Sequence, residues 1–151
     1  IIFPIDFAHI VDDELKRIIQ ANLTFGATII MLMDCCFSGT AMDLKYAYDD
    51  SLSGEIMIVN PRAAETPGDV IMISGCHDSQ TSAEATIGGT PQGAVTWAFV
   101  ECMRTRGLTW HQLLVNMRDL LKRFGFTQIP QLTSGRKINP QALISEWIKE
   151  A

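Results

Sequence analysis

Apolar positions along the chain follow three spacings, and each predicts a different element. Leu15, Ile18, Ile19 and Leu23 recur at three- and four-residue intervals and predict a one-faced helix ending near Gly26. Asp12 reads as its N-cap, with Asp13 and Glu14 in the first turn, where the helix dipole favours negative charge. Ala27 to Met33 is an unbroken apolar run, short and partly β-branched, which predicts a strand covered on both faces. Val70-Ile-Met-Ile-Ser-Gly75 predicts a second. Val95, Ala98, Phe99, Cys102 and Met103 predict the inward face of a helix over 94–106, stopped by Gly107. Thr109 then caps a further helix with the stripe Leu113, Leu114, Met117, Leu120 and Leu121, closed by Gly125.

Between these segments the pattern weakens. Residues 41–48 lead into a soft region, 49–69, rich in Ser, Gly, Pro and Asp, where Ile56 to Val59 allows one extra strand. Residues 79–93 are rich in Ser, Thr and Gly and predict a mobile loop. Gln128 to Thr133 is a short extended piece in which Pro130 suits an edge or terminal position. The tail, 139–149, adds one turn of helix packing Leu143 and Trp147. The order of elements indicates one α/β domain, a three-layer sandwich with a mainly parallel sheet flanked by helices.

Both confident strands run into reactive-looking turns, Asp34-Cys35-Cys36 after the first and Cys76-His77-Asp78 after the second. In open α/β sheets, ligands gather beyond the carboxyl ends of the strands, so chemistry is expected there. Composition narrows the class. The 151 residues carry a net charge of −5, which argues against a nucleic-acid surface, and the apolar runs are too short to span a bilayer. The four cysteines, Cys35, Cys36, Cys76 and Cys102, lack zinc spacing and do not read as a disulfide framework. Reduced thiols in an intracellular, cytoplasmic compartment are the expectation. The chain opens on Ile1 rather than Met, which reads as a fragment of a longer polypeptide.

Four stretches in order resemble one family. Asp34-Cys35-Cys36-Phe37-Ser38-Gly39-Thr40 is similar to the D-x-C-H-S-G nucleophile motif of metacaspases, and Ile10-Val-Asp-Asp-Glu14 to the I-x-D-D-E/D segment before it. Gly68 through Ala83 resembles the start of the small-subunit region, and Ile129-Pro-Gln-Leu-Thr133 the late P-Q-L strand. The resemblance is closest to metacaspases of unicellular eukaryotes such as kinetoplastids. It divides the chain into the end of a large-subunit region (1–48), a linker (49–69) and a small-subunit region (70–151).

The resemblance implies a cysteine endopeptidase cleaving after Arg or Lys through a Cys–His dyad, activated by Ca²⁺ and monomeric, with peptide or protein substrates. Cys36 matches the nucleophile, and a thiol at a strand's end, beside backbone N–H groups, suits that role. Cys35 reads as a core residue. Asp34 matches the acidic wall of the P1 pocket; an Asx turn or a cap at the strand's end is the equal alternative. Asp78 is a further candidate for that pocket. Asp12, Asp13 and Asp43 match aspartates of the family's calcium site, against a plain reading as helix cap, dipole partner and solvated side chain. A fourth aspartate of that set would lie before Ile1. Arg62 and Lys45 are candidate self-processing positions, with ordinary exposed bases the alternative.

Two departures matter. The family's dyad His stands in a motif upstream of Ile10 that this chain does not contain, and His9, His77 and His111 lack its context. Phe37 replaces a His beside the nucleophile. Alone, the chain is expected to be inactive, and a catalytically inactive homologue serving as a binding or regulatory module is the alternative reading.

Overall fold

The computed structural model describes residues 10–34, 42–48, 56–75, 84–87 and 90–148. Its first helix, α1, spans Asp12–Asn22, followed by β1 (Thr28–Met33), β2 (Tyr46–Tyr48), β3 (Ile56–Ile58) and β4 (Asp69–Ser74). A hairpin of β5 (Glu84–Ile87) and β6 (Thr90–Gly93) leads into α2 (Ala94–Met103) and α3 (Trp110–Arg123). Strand β7 (Gln131–Ser134) and a 3-10 turn at Ile144–Glu146 complete the order.

Five strands form one sheet in the order β1-β4-β7-β2-β3, with β5 and β6 in a separate pair. β1 and β4 are parallel, from Thr28 opposite Asp69 to Met33 opposite Ser74. The pairings of β4 with β7, β7 with β2, and β2 with β3 are antiparallel, so the sheet is mixed. Side chains alternate across a strand, and β4 divides its own between two clusters. Ile71 and Ile73 join Trp110, Leu113, Leu114, Met117 and Leu121 beneath α2 and α3. Val70 and Met72 join Leu23, Met42 and Leu44, with Leu15 and Ile19 of α1 packed against them. The three layers expected from the pattern are present.

α3 follows its sequence closely. Thr109 accepts from Gln112 N–H at 3.1 Å, and the Gln112 side chain accepts from Thr109 N–H at 3.0 Å, a reciprocal capping box. Gly125, at φ +80°, supplies the left-handed turn just past the cap Phe124 that ends α3. α2 ends at Met103, short of the expected 94–106, and Gly107 (φ +75°) lies in the connection to α3 rather than at the helix end. α1 differs. Its N-cap is Val11 rather than Asp12, and no side chain caps it. Asp12, Asp13 and Glu14 do occupy the first turn, but Ile18 is 46% exposed rather than inward.

Three weak stretches become ordered pairs. Tyr46–Tyr48 is a strand because Tyr46 and Tyr48 bury their rings while Ala47 turns away. Ile56–Ile58 pairs with it as the outer strand. The stretch over 79–93 includes the β5–β6 hairpin, with Thr86 opposite Pro91, despite its loop-like composition. β7 is interior rather than an edge. Pro130 stands just before it, so no ladder hydrogen bond is lost. In the tail, Ile144 is buried and Trp147 meets Trp110 edge-on, whereas Leu143 is 39% exposed. No helix among the described residues is long and apolar enough to cross a membrane.

Candidate active site

Strands β1 and β4 are parallel, so their carboxyl ends meet at one margin of the sheet. Gly75 N–H donates to Met33 C=O at 2.8 Å there, locking the two ends together. Ile30 and Leu32 pack toward α2 and α3. Asp34 continues that alternation, which carries its side chain to the beginning of α2.

The contact is direct. Thr96 N–H, in the first turn of α2, donates to Asp34 Oδ2 at 2.8 Å. Gly93 is the N-cap of this helix and offers no side chain, so a carboxylate from another strand satisfies one of the free N–H groups. Negative charge at a helix N-terminus is favoured by the dipole, and a charged acceptor strengthens the bond. The other oxygen, Oδ1, is buried without a hydrogen-bond partner among the described residues. A buried acceptor left unpaired carries a desolvation penalty of about 1–3 kcal/mol, and more when charged. This half-buried carboxylate thus has one oxygen anchored and one unsatisfied.

Ser74 lies at the same margin, fully buried, its hydroxyl also without a partner among the described residues. Neither Ser74 nor Thr96 was singled out by sequence reasoning. A Ser closing an otherwise apolar strand is a signal for the first. For the second none exists, because the backbone of Thr96 does the work.

Cys36 and Asp78 lie outside the described residues, as do Cys35, Phe37, Cys76, His77 and His9. Cys102 is buried on α2, and burial, reinforced by the charge of Glu101, pushes its thiol pKa up. A raised pKa suppresses the thiolate, which with its burial argues against Cys102 as an activated nucleophile. The remaining histidine, His111, is near the start of α3, where Nδ1 is hydrogen-bonded to the Tyr48 hydroxyl inside the sandwich.

The candidate calcium ligands lie on and beside α1. Asp12 and Asp13 stand in its first turn, while Asp43, at φ 43°, meets Lys16 Nζ at 3.8 Å. Among the described residues no three His, Cys, Asp or Glu side chains converge to hold a metal ion, so these three do not by themselves fit Ca²⁺. Of the two candidate processing positions, Arg62 is exposed on a turn closed by Ala63 N–H to Asn60 C=O at 3.1 Å. Lys45 is held closer, since its carbonyl accepts from both Val59 and Asn60 N–H.

A family model for the caspase domain matches residues 1–138. The chain belongs to the caspase-domain peptidase family. It is 35% identical to Metacaspase-3 of Trypanosoma cruzi over 94% of its own length and 44% of that protein. Identity is 36% to Metacaspase-2 of Trypanosoma brucei brucei, covering 91% of this chain and 44% of the relative. Metacaspase-1 of Yarrowia lipolytica is 35% identical over 88% of this chain and 39% of its own. The chain therefore spans less than half the length of these metacaspases. Its mixed sheet between helical layers agrees with an α/β caspase-like fold, and its similarity to kinetoplastid metacaspases agrees with the motifs.

Proposed function

We propose that this chain carries the nucleophile and the substrate-recognition half of a cysteine endopeptidase of the metacaspase type, cleaving after Arg or Lys. One observation carries the basic preference: the buried Oδ1 of Asp34 has no partner among the described residues. A guanidinium or ammonium group supplies the donor and the positive charge that this oxygen lacks. In this reading Asp34 receives the substrate's basic side chain and Asp78 contributes to the same pocket. The Cys36 thiolate adds to the carbonyl carbon of the residue that carries that basic side chain. The peptide C–N bond then breaks, the amine leaves with the proton taken from the thiol, and water frees Cys36 from the acyl group. The base that serves Cys36, the dyad His, comes from a segment outside residues 1–151. The substrates are peptides or proteins, the active species is a monomer, and a reducing cytoplasm suits the free thiol.

Arg62 is the favoured self-processing position, since a peptidase needs an accessible segment that it can bind extended. Calcium enters only as an activator implied by the resemblance, with Asp12, Asp13 and Asp43 as its candidate ligands, and no step is assigned to it.

The test is cleavage of a fluorogenic Arg-P1 peptide by the full-length protein, with and without millimolar calcium, beside Cys36→Ala. Cleavage lost in the variant supports the peptidase reading, and its dependence on added calcium decides the activator. No cleavage by a folded, calcium-supplied protein would favour the inactive homologue for which Phe37 speaks.

A further inference from the structure

We infer that Gly93 is a positioning residue: it leaves the space in which the Asp34 carboxylate is held against α2, and so sets which P1 side chains are accepted. The inference rests on the reading that Asp34 receives the substrate's basic group, and it adds the device that aims that carboxylate. Gly93 has φ −64°, an ordinary value open to any residue, so backbone conformation does not demand glycine here. Space does. A Cβ at this position would stand 1.9 Å from Asp34 Oδ2, 2.5 Å from its Cγ and 3.1 Å from Oδ1. Separations this short are far inside van der Waals contact. On the other side, a Cβ on Gly75 would stand 3.3 Å from Oδ1.

The carboxylate therefore lies in a slot between two glycines, one at the end of β4 and one opening α2. Thr96 N–H fixes Oδ2 in that slot at 2.8 Å, and Oδ1 is buried and unpaired among the described residues. Any side chain at position 93 must turn the carboxylate, which breaks the Thr96 bond and re-aims Oδ1. Asp34 and Gly93 are 59 residues apart in sequence (93 − 34). Recognition of the basic group then depends on how the first turn of α2 sits against the end of β1.

The experiment has two arms, both on the full-length protein. In the first, Gly93→Ala is assayed on matched peptides with Arg, Lys or neutral P1 residues. A misplacement of about an ångström can lower kcat/KM on the order of 10²-fold. That loss is expected for the basic peptides, mostly in KM, with selectivity over the neutral peptide collapsing. The alkylation rate of Cys36 by a small neutral reagent should be unchanged. Wild-type selectivity in the variant would overturn the inference.

The second arm needs no activity. Urea midpoints are compared for Gly93→Ala in the wild-type background and in an Asp34→Ala background. If position 93 acts through Asp34, the substitution lowers the midpoint in the first and not in the second. Equal lowering in both would overturn the inference even if Gly93→Ala proves too unstable to assay. A cycle of the expected form with no peptide cleaved would support the positioning role while overturning the peptidase reading on which its consequence for specificity rests.

Discussion

The two faces of the sheet are covered unequally. Beneath α2 and α3, Trp110, Leu113, Leu114, Met117 and Leu121 are at most 1% exposed, and α3 alone contributes all five. On the opposite face α1 contributes no buried residue; Leu15 and Ile19 only lean on the cluster around Val70 and Met72. The same strand, β4, serves both faces. The contrast therefore comes from the helices. One layer is an interlocked core and the other a lightly anchored cover, and packing of an amphipathic face is the main source of helix stability in proteins. The candidate site divides along this line. Asp34 is anchored to the well-packed side through Thr96, whereas Asp12 and Asp13 ride on the loose one.

The sharpest way to break the comparison is to remove equivalent groups from the two helices. Leu114→Ala should destabilise by about 3 kcal/mol, since the surrounding core cannot collapse onto the gap. Ile19→Ala should remove only about 1 kcal/mol, because its side chain gives up little buried area. Denaturant midpoints at constant m-value decide this, and similar losses at the two positions would show that α1 is held more firmly than its burial implies.

Strand β4 allows an internal version with a smaller expected difference. Ile71 and Met72 are adjacent and both at most 1% exposed, yet they face opposite layers. Truncation to Ala should cost about 4 kcal/mol at Ile71 and about 3 kcal/mol at Met72, because α1 can settle into the space and α2 and α3 cannot. Parity between them would mean that the α1 layer is rigid.

The ends of the helices give the next effect. α3 has a complete capping box and α1 has an apolar N-cap, so the two should respond to substitution with opposite signs. Thr109→Ala should lose about 1 kcal/mol, and Val11→Ser should gain about 0.5 kcal/mol, Val11 being 41% exposed. Amide hydrogen exchange resolves the same point locally. α1 should open well below the free energy of global unfolding and α3 near it, and protection of α1 should rise in Val11→Ser.

The legible parts of the sequence were those where local pattern and tertiary role agree. Thr109 to Gly125 contains its cap, its stripe and its stop in consecutive residues. Ala27 to Met33 and Val70 to Ser74 are apolar enough that burial follows from composition. Strand β2 was not legible because three residues, Tyr46 to Tyr48, are strand only by virtue of their neighbours. The 84–93 hairpin was missed because its Gly, Thr and Pro content reads as loop while cross-strand pairing supplies the order. Asp34 was picked out by its motif, and the open alternative of a capping role is met in an unexpected form: it caps α2 rather than a turn of its own. The partner is 62 residues away and acts through a backbone N–H, which no side-chain pattern encodes. Gly93 was hidden for the same reason, since the space it leaves has meaning only once Asp34 is beside it.

The smallest effect uses Cys102, a reporter already present in the well-packed layer. Burial first, and the Glu101 carboxylate second, raise its thiol pKa in the folded protein. The unfolded thiol titrates near its ordinary value of about 8.5. Below that pH both states hold the proton and the stability associated with it is whole. Above it the unfolded state loses the proton first, so stability declines as pH rises toward the folded value. Cys102→Ala should flatten this alkaline limb without altering the neutral region. Alkylation mapped by peptide mass should also find Cys102 modified only as fast as the α2–α3 layer opens. A cysteine introduced on the other helix by Ile18→Cys should react at once, because position 18 is already exposed. Rapid modification of Cys102 in the folded protein at neutral pH would overturn the contrast from its stronger side.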